Sequence, residues 1–450
     1  MKTHNKIISL AVAAFVLMSG SAVLAQDAVV DVAPASDTSA YVFNSLLFLI
    51  SGMVVMFMAA GFCMLEVGLV RSKNAATICL KNIALYSIAG IMVWVTGYNI
   101  IYGGPGNHLL TPFTEWFFWT EGSLEEQVAA GYSAHSDWYF QMVFVATAAS
   151  IVSGTLAERI KLWPFLIFVI FLTGFIYPIQ ASWEWGEGFL DATFNFSDFA
   201  GSTLVHSTGG WAALAGAIVL GPRTGKFLGN RIDPMPGSSL PLATLGTFIL
   251  WLGWFGFNGG SQLAAGSIED INAVGKIFVN TNTAAAAGVV SAMLLSNILY
   301  KKVDLTIALN GAIGGLVSIT AEPLMPAIWQ ALIIGSVGGV IVTLSIPLLY
   351  RFKIDDVVGA IPAHLFCGIW GTLVVVWSNN TATAGDGAPT FLGQLVGVLL
   401  VGVFVFSISF LIWFILKNTV GIRVSPEEEL NGLDAVELGQ EAYPEFTAGR

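Results

Sequence analysis

Charge is what this chain has least of. Asp, Glu, Lys and Arg make up 10% of its residues, 55% are hydrophobic, and the mean hydropathy is +0.76. A water-soluble chain of 450 residues needs more charge than this to cover its surface, so a soluble globular protein is excluded and lipid is the expected surround. Basic residues are the scarcer sign, 18 against 29 acidic; a net charge of −11 normally argues against a nucleic-acid partner, but in a membrane protein the distribution of charge matters more. Cysteine is nearly absent. Cys63, Cys79 and Cys367 are an odd number scattered over apolar or membrane-edge segments, which leaves no disulfide framework and points to packing. There is no zinc-ligand spacing and no His-Glu-x-x-His motif, so no metal, no other cofactor and no metalloenzyme is expected.

What the chain has instead is long hydrophobic runs. Lys2 and Lys6 precede the apolar run from Ile7 to Met18, and Ala22 to Ala25 offers small residues to a signal peptidase. Residues 1–25 therefore read as a cleavable secretory signal, too short for a span of ~20 residues. Residues 26–40 are small and polar, a loose leader outside the cytoplasm. Eleven apolar segments follow, at about 42–70, 76–102, 138–157, 162–181, 200–220, 240–262, 278–299, 305–320, 329–350, 359–377 and 391–416. Two of them, 200–220 and 305–320, are short or Gly-rich enough for hydropathy alone to miss.

Loop charges set the topology. Arg71, Lys73, Arg159, Lys161, Arg223, Lys226, Arg231, Lys301, Lys302, Arg351, Lys353, Lys417 and Arg423 fall on one alternate set of connections, and Lys81, also after span one, lies near the start of the next segment. The other set holds Glu115, Glu121, Glu125, Glu126, Asp137, Glu184, Glu187, Asp191, Glu269, Asp270 and Asp386, with Lys276 its one basic residue. Basic loops stay in the cytoplasm, which places the mature N-terminus outside and the C-terminus inside.

One pattern occurs twice. Asp198–Gly201–His206–Gly210 and Asp356–Gly359–His364–Gly368 both fit Asp-x2-Gly-x4-His-x3-Gly. The first copy enters its span from outside and the second from inside, five spans later. Opposed copies are what an inverted-topology repeat requires, with the pathway at the repeat interface near the midplane. The fold expected is thus all-α: eleven transmembrane helices as a five-plus-five inverted repeat and a final helix. A lone intramembrane His is explained by a hydrogen bond to a neighbouring carbonyl. Two at matched positions favour function, because polar groups there are costly.

Several motifs, taken in order, resemble the ammonium transporters (Amt/Mep/Rh): Ser153 to Ile160 (SGTLAERI), Asp198 to His206 (DFAGSTLVH), Gly253 to Ser261 (GWFGFNGGS), Phe278 to Ala286 (FVNTNTAAA) and Cys367 to Thr372 (CGIWGT). The resemblance covers nearly all of the mature chain, as residues 26–416 of transporter domain and 417–450 of cytoplasmic tail. It implies a homotrimer in the inner membrane, each subunit with its own narrow apolar pore for ammonium or ammonia. It also implies a cytoplasmic PII signal protein as a possible partner.

Carried over by matching motifs, the outer cation site is Phe140, Trp185 and Ser261, with Asp198 as the essential carboxylate beside it. Aromatic faces attract a compact cation and a hydroxyl accepts an N–H. Phe144 and Phe257 match the family's stacked gate, and His206 and His364 its twin histidines, which can relay a proton. Without the family, core packing is the favoured account of the two Phe residues, and a helix N-cap fits Asp198 as well. Asp355 and Asp356, beside Lys353, are expected to be solvated at the cytoplasmic mouth.

Three departures from the family pattern carry expectations. Leu365 stands where Gly is common, with Pro362 nearby, so the lower pore lining is expected to be shaped differently. One extra residue separates Trp185 from Asp198, making Trp183 a rival for the cage. Leu438 replaces a common His in the tail. The function implied is electrogenic ammonium transport; the alternatives are an electroneutral ammonia or carbon dioxide channel and an ammonium sensor, for which the tail after Lys417 is short.

Overall fold

The apolar runs fold as helices. A computed structural model describes residues 37–103, 116–229, 231–379 and 388–447; the signal at 1–25, most of the leader, Glu115 and Asp386 lie outside the described residues. In chain order the long helices are α1 (Thr38–Leu69), α2 (Ser72–Tyr102), α3 (Ala134–Thr155), α4 (Leu162–Ala181), α5 (Ser202–Leu220), α6 (Leu240–Gly260), α7 (Ile268–Tyr300), α8 (Leu305–Ile319), α9 (Ile328–Arg351), α10 (Ile361–Ser378) and α11 (Phe391–Thr419). Among the described residues nine of these are long and apolar enough to cross a membrane; α3 and α8 are not among the nine. A two-stranded antiparallel hairpin, β1 (Phe227–Leu228) with β2 (Arg231–Ile232), interrupts the helices, pairing Phe227 with Ile232.

The two exceptions have different causes. Helix α8 is short. Helix α3 is buried continuously from Phe140 to Thr155, so it faces protein all round and needs no lipophilic stripe. Its Thr147 and Ser150 hydroxyls donate back to the carbonyls of Val143 and Ala146. The expected segment 200–220 does qualify, as α5. The largest boundary difference is at α7, which starts at Ile268 rather than near 278. Ser267 and Asp270 form a capping box there, and a capped helix carries its polar first turns beyond the apolar run.

Among the described residues, packing gathers chiefly around two large buried clusters. One holds Phe48, Phe140, Phe144, Trp254 and Phe257, and the other Phe165, Phe168, Leu365 and Trp413. Helices α1 and α6 approach backbone to backbone: a Cβ on Gly68 would lie 2.4 Å from Ala243 N. Close contact through small residues is how helices associate where water gives no hydrophobic drive. Cys63 of α1 and Cys79 of α2 stand as free thiols with sulfurs 3.5 Å apart.

At the end rich in Arg and Lys, Asp355 and Asp356 are buried at 1% and 6% exposure, not solvated. Arg223 donates to both oxygens of Asp355 at 2.8 and 2.9 Å, and Arg159 donates to the Asp355 carbonyl at 2.7 Å. Lys353 suggested a surface, but the partner that buries Asp355 is 132 residues away in sequence. Burial works against its charge, yet the hydrogen bonds from Arg223 hold the Asp355 carboxyl well below the usual carboxylate range. Glu158 is likewise held down against burial by Arg223 and Arg71. The tail docks on this end. Glu429 accepts from Thr224 N at 2.7 Å and from Arg423, and Asp434 accepts from Ala76 N and Thr77 N at the start of α2.

Candidate functional site

Both copies of the repeated motif build a similar local structure. Asp198 Oδ1 accepts from the N–H groups of Gly201 and Ser202 at 3.1 and 2.7 Å; Oδ2 accepts from Thr203 and Leu204 at 2.7 and 2.9 Å. Asp356 Oδ1 accepts from Gly359 N at 3.2 Å and Oδ2 from Ile361 N at 2.7 Å. The glycines adopt φ of +98° and +80°, a region that side chains strain to enter. Each capped segment then opens its helix with a π-helical turn, Ser202–Ser207 and Ile361–Phe366, and each turn carries the His.

The two capped helices cross with reciprocal contacts. A Cβ on Gly210 would lie 2.7 Å from Leu365 Cβ, and one on Gly368 would lie 2.3 Å from Ser202 O and 2.4 Å from Ser207 Oγ. The glycine four residues past each His therefore admits the other helix. Leu365 is thereby placed: it is fully buried under Gly210 in the second cluster, while Pro362 borders the space at the basic end.

This crossing brings His206 and His364 together, both buried, with their Nδ1 atoms 3.3 Å apart and ring centroids 5.3 Å apart. Facing Nδ1 atoms form a hydrogen bond only when one is protonated and the other is not, so two neutral rings adopt opposite tautomers. His206 Nε2 has no hydrogen-bond partner among the described residues.

Aromatic rings lead up to the pair. Phe140 contacts Phe144 edge-on at 4.8 Å, Phe144 stacks on Phe257 at 3.9 Å, and Phe257 lies 5.2 Å from His206. Beyond the pair, Phe62 is 6.1 Å from His364. Trp185 meets Phe144 at 6.1 Å and donates from Nε1 to Asp198 O at 3.1 Å, while Glu184 accepts from Asp198 N at 2.6 Å. Trp183 instead packs against Phe189 and Phe404 in the second cluster. Ser261 follows Gly260, whose Cβ position lies 2.6 Å from the Phe140 ring, and donates from Oγ to Phe257 O at 2.8 Å. Its hydrogen being committed, the oxygen can accept.

Sequence reasoning passed over Trp254. It stacks on His206 at 4.9 Å and 20°, fixed by Nε1 donating to Thr320 Oγ1 at 2.8 Å. The signal was its place one helical turn before Phe257, on the same face.

Beside His364 lies a cavity of ≈ 10 Å³, lined in part by Phe62, Glu66, Ser150, Asn310 and His364. That is room for about one water. A vestibule of ≈ 580 Å³ lies at the basic end, bordered by Arg223, Asn310, Tyr350, Asp356 and Pro362. The arrangement suits a small polar molecule that sheds its water at the rings and meets hydrogen-bonding groups again only at the imidazoles.

The sequence profile of the Ammonium Transporter Family matches residues 46–443. A putative ammonium transporter of Synechocystis sp. is 41% identical over 404 residues, 89% of each chain. The ammonium transporter Amt2 of Archaeoglobus fulgidus is 38% identical over 421 residues, covering 88% of this chain and 87% of that one. Among solved structures, one named Sensor Amt Protein superposes with a TM-score of 0.81 at 32% identity, covering 90% of this chain and all of that one. Mep2 of Candida albicans, at 24% identity, shares the fold with a TM-score of 0.78 over 91% and 92% of the two chains.

Proposed function

The chain belongs to the ammonium transporter family, and from that premise we propose that it carries ammonium electrogenically by splitting it into ammonia and a proton. The observation that carries this reading is the unbroken series of rings from Phe140 to a histidine pair in Nδ1–Nδ1 contact at 3.3 Å. Phe140 and Trp185 offer π faces to the cation, and the Ser261 oxygen accepts one of its N–H bonds. Asp198 already accepts four backbone N–H bonds, so its part is to fix the start of α5 and supply negative potential. Stacked Phe144 and Phe257 reject hydrated sodium or potassium, which lose their water there without compensating ligands. Ammonia passes this gate, and the proton follows through His206 and His364.

The matching caps and reciprocal Gly contacts support an inverted repeat of five spans plus five, with α3 and α8 completing eleven spans. We place the basic end in the cytoplasm of an inner-membrane protein, assembled as a homotrimer. The docked tail, 417–450, is then a cytoplasmic regulatory element within reach of a PII protein.

The likeness to a protein named Sensor Amt Protein favours one second reading, ammonium binding with little transport. Currents on a solid-supported membrane, from purified protein in liposomes, separate the two. Transport gives sustained charge movement with ammonium and none with potassium; a sensor gives a brief binding transient.

A further inference from the structure

Glu66, on α1, is 1% exposed and has no part in the transport scheme so far. Its Oε2 accepts from Ser153 Oγ at 2.7 Å; Oε1 is buried with no hydrogen bond of good geometry among the described residues, and Asn82 of α2, beside the carboxylate, donates its Nδ2 to Ile78 O at 3.1 Å. Lys81 of α2, equally buried, donates to the Ser153 carbonyl at 3.0 Å. One residue of α3 thus holds both an acid and a base, the hydroxyl on Glu66 and the carbonyl on Lys81. An idle carboxylate oxygen at this depth is costly unless something uses it.

The neighbouring space says what could. Glu66 and His364 line the same cavity of ≈ 10 Å³, enough for about one water. His364 Nδ1 is engaged by His206, which leaves Nε2 as the nitrogen able to exchange a proton with that cavity. Asn310 and Val358 line both the cavity and the ≈ 580 Å³ vestibule, so these two residues divide them. Asn310 donates to Val358 O at 3.1 Å, tying the partition together.

We propose that Glu66 is the station that takes the proton from the histidine pair and returns it to ammonia before the vestibule. This deepens the electrogenic reading and rests on it. In the first step the N–H bond at His364 Nε2 breaks and an O–H bond forms at Glu66 Oε1, directly or through one water. Imidazolium and carboxylate become imidazole and carboxylic acid. In the second, that O–H breaks and an N–H bond forms on ammonia, giving ammonium and restoring the carboxylate near Lys81. The charged and titratable groups facing Glu66 are Lys81 and Cys79 of α2, Cys63 of α1 and His364 of α10.

The test compares ammonium-evoked currents of wild type, Glu66→Gln and Glu66→Asp in liposomes, across a range of pH at the basic end. Gln keeps the size and the bond to Ser153 but cannot take a proton. Its current should fall by roughly ten-fold or more with an unchanged size-exclusion profile. Asp should recover part of the current with an altered pH dependence. Wild-type current and pH dependence in Glu66→Gln would overturn the proposal, as would a folded Glu66→Asp that is equally silent. If the Gln variant does not fold, the Asp variant decides: an altered pH dependence supports the station and an unaltered one removes it. A silent wild type points elsewhere, overturning the electrogenic reading and the station with it.

Discussion

Trp185 and Trp183 differ by two positions and face different tasks. Trp185 borders Phe144 and clasps the Asp198 backbone, whereas Trp183 fills a gap between Phe189 and Phe404. The spacing from Asp198 left both open as cage residues; only the turn of chain after α4 separates them. Trp185→Leu with Ser261→Ala is expected to raise the ammonium concentration for half-maximal current, each lost contact being worth ~0.5–2 kcal/mol. Trp183→Leu should leave that concentration nearly unchanged. The reverse pattern in a current titration moves the cage to Trp183. Trp254 shows the opposite difficulty. Its indole is part of the site, but a Trp at helical spacing in an apolar run reads as core until a histidine is seen beneath it.

Among elements, the pair α5 and α10 depends on glycine at the crossing rather than on apolar complementarity. Gly368→Ala puts a Cβ 2.3 Å from Ser202 O and 2.4 Å from Ser207 Oγ, next to the turn that carries His206. The helices must separate, at a cost of ~1–3 kcal/mol for overpacking. A lowered thermal unfolding midpoint in detergent, together with reduced current, is the expected outcome; an unshifted midpoint would show that the crossing is slack. Most helix positions were legible from hydropathy because lipid-facing runs advertise themselves. The start of α7 was not, since Glu269 and Asp270 hide a capped first turn, and α3 stands out by motif more than by hydropathy because its buried faces carry Gln141, Thr147, Ser150 and Ser153. The repeated Asp-Gly-His skeleton was legible in full. Its reciprocal contact was not, because nothing in either copy names Leu365 or Ser202 as the partner of the other copy's glycine.

Across the whole molecule, buried charge fastens the basic end. Arg223 joins the end of α5 to Asp355 before α10, and Glu158 links Arg223 to Arg71 after α1. Removing one partner leaves the other buried and unpaired, so Arg223→Met or Asp355→Asn should each cost ~3–5 kcal/mol, and the double variant less than their sum. Additive losses in thermal unfolding would mean that the two do not act as a pair. These long-range partnerships are what local sequence cannot display; Asp355 beside Lys353 looks like surface until Arg223 is found against it. The central claim concerns what these helices enclose. On the proposed mechanism, Nδ1 atoms 3.3 Å apart carry the proton between the aromatic gate and a cavity beside His364 with room for about one water. The most direct measurement is ammonium and potassium current from His206→Ala/His364→Ala protein in liposomes. The relay predicts that this variant, folded and inserted, loses ammonium-selective current or conducts only by admitting water and potassium. Wild-type current with wild-type selectivity would contradict it and leave both histidines as packed residues.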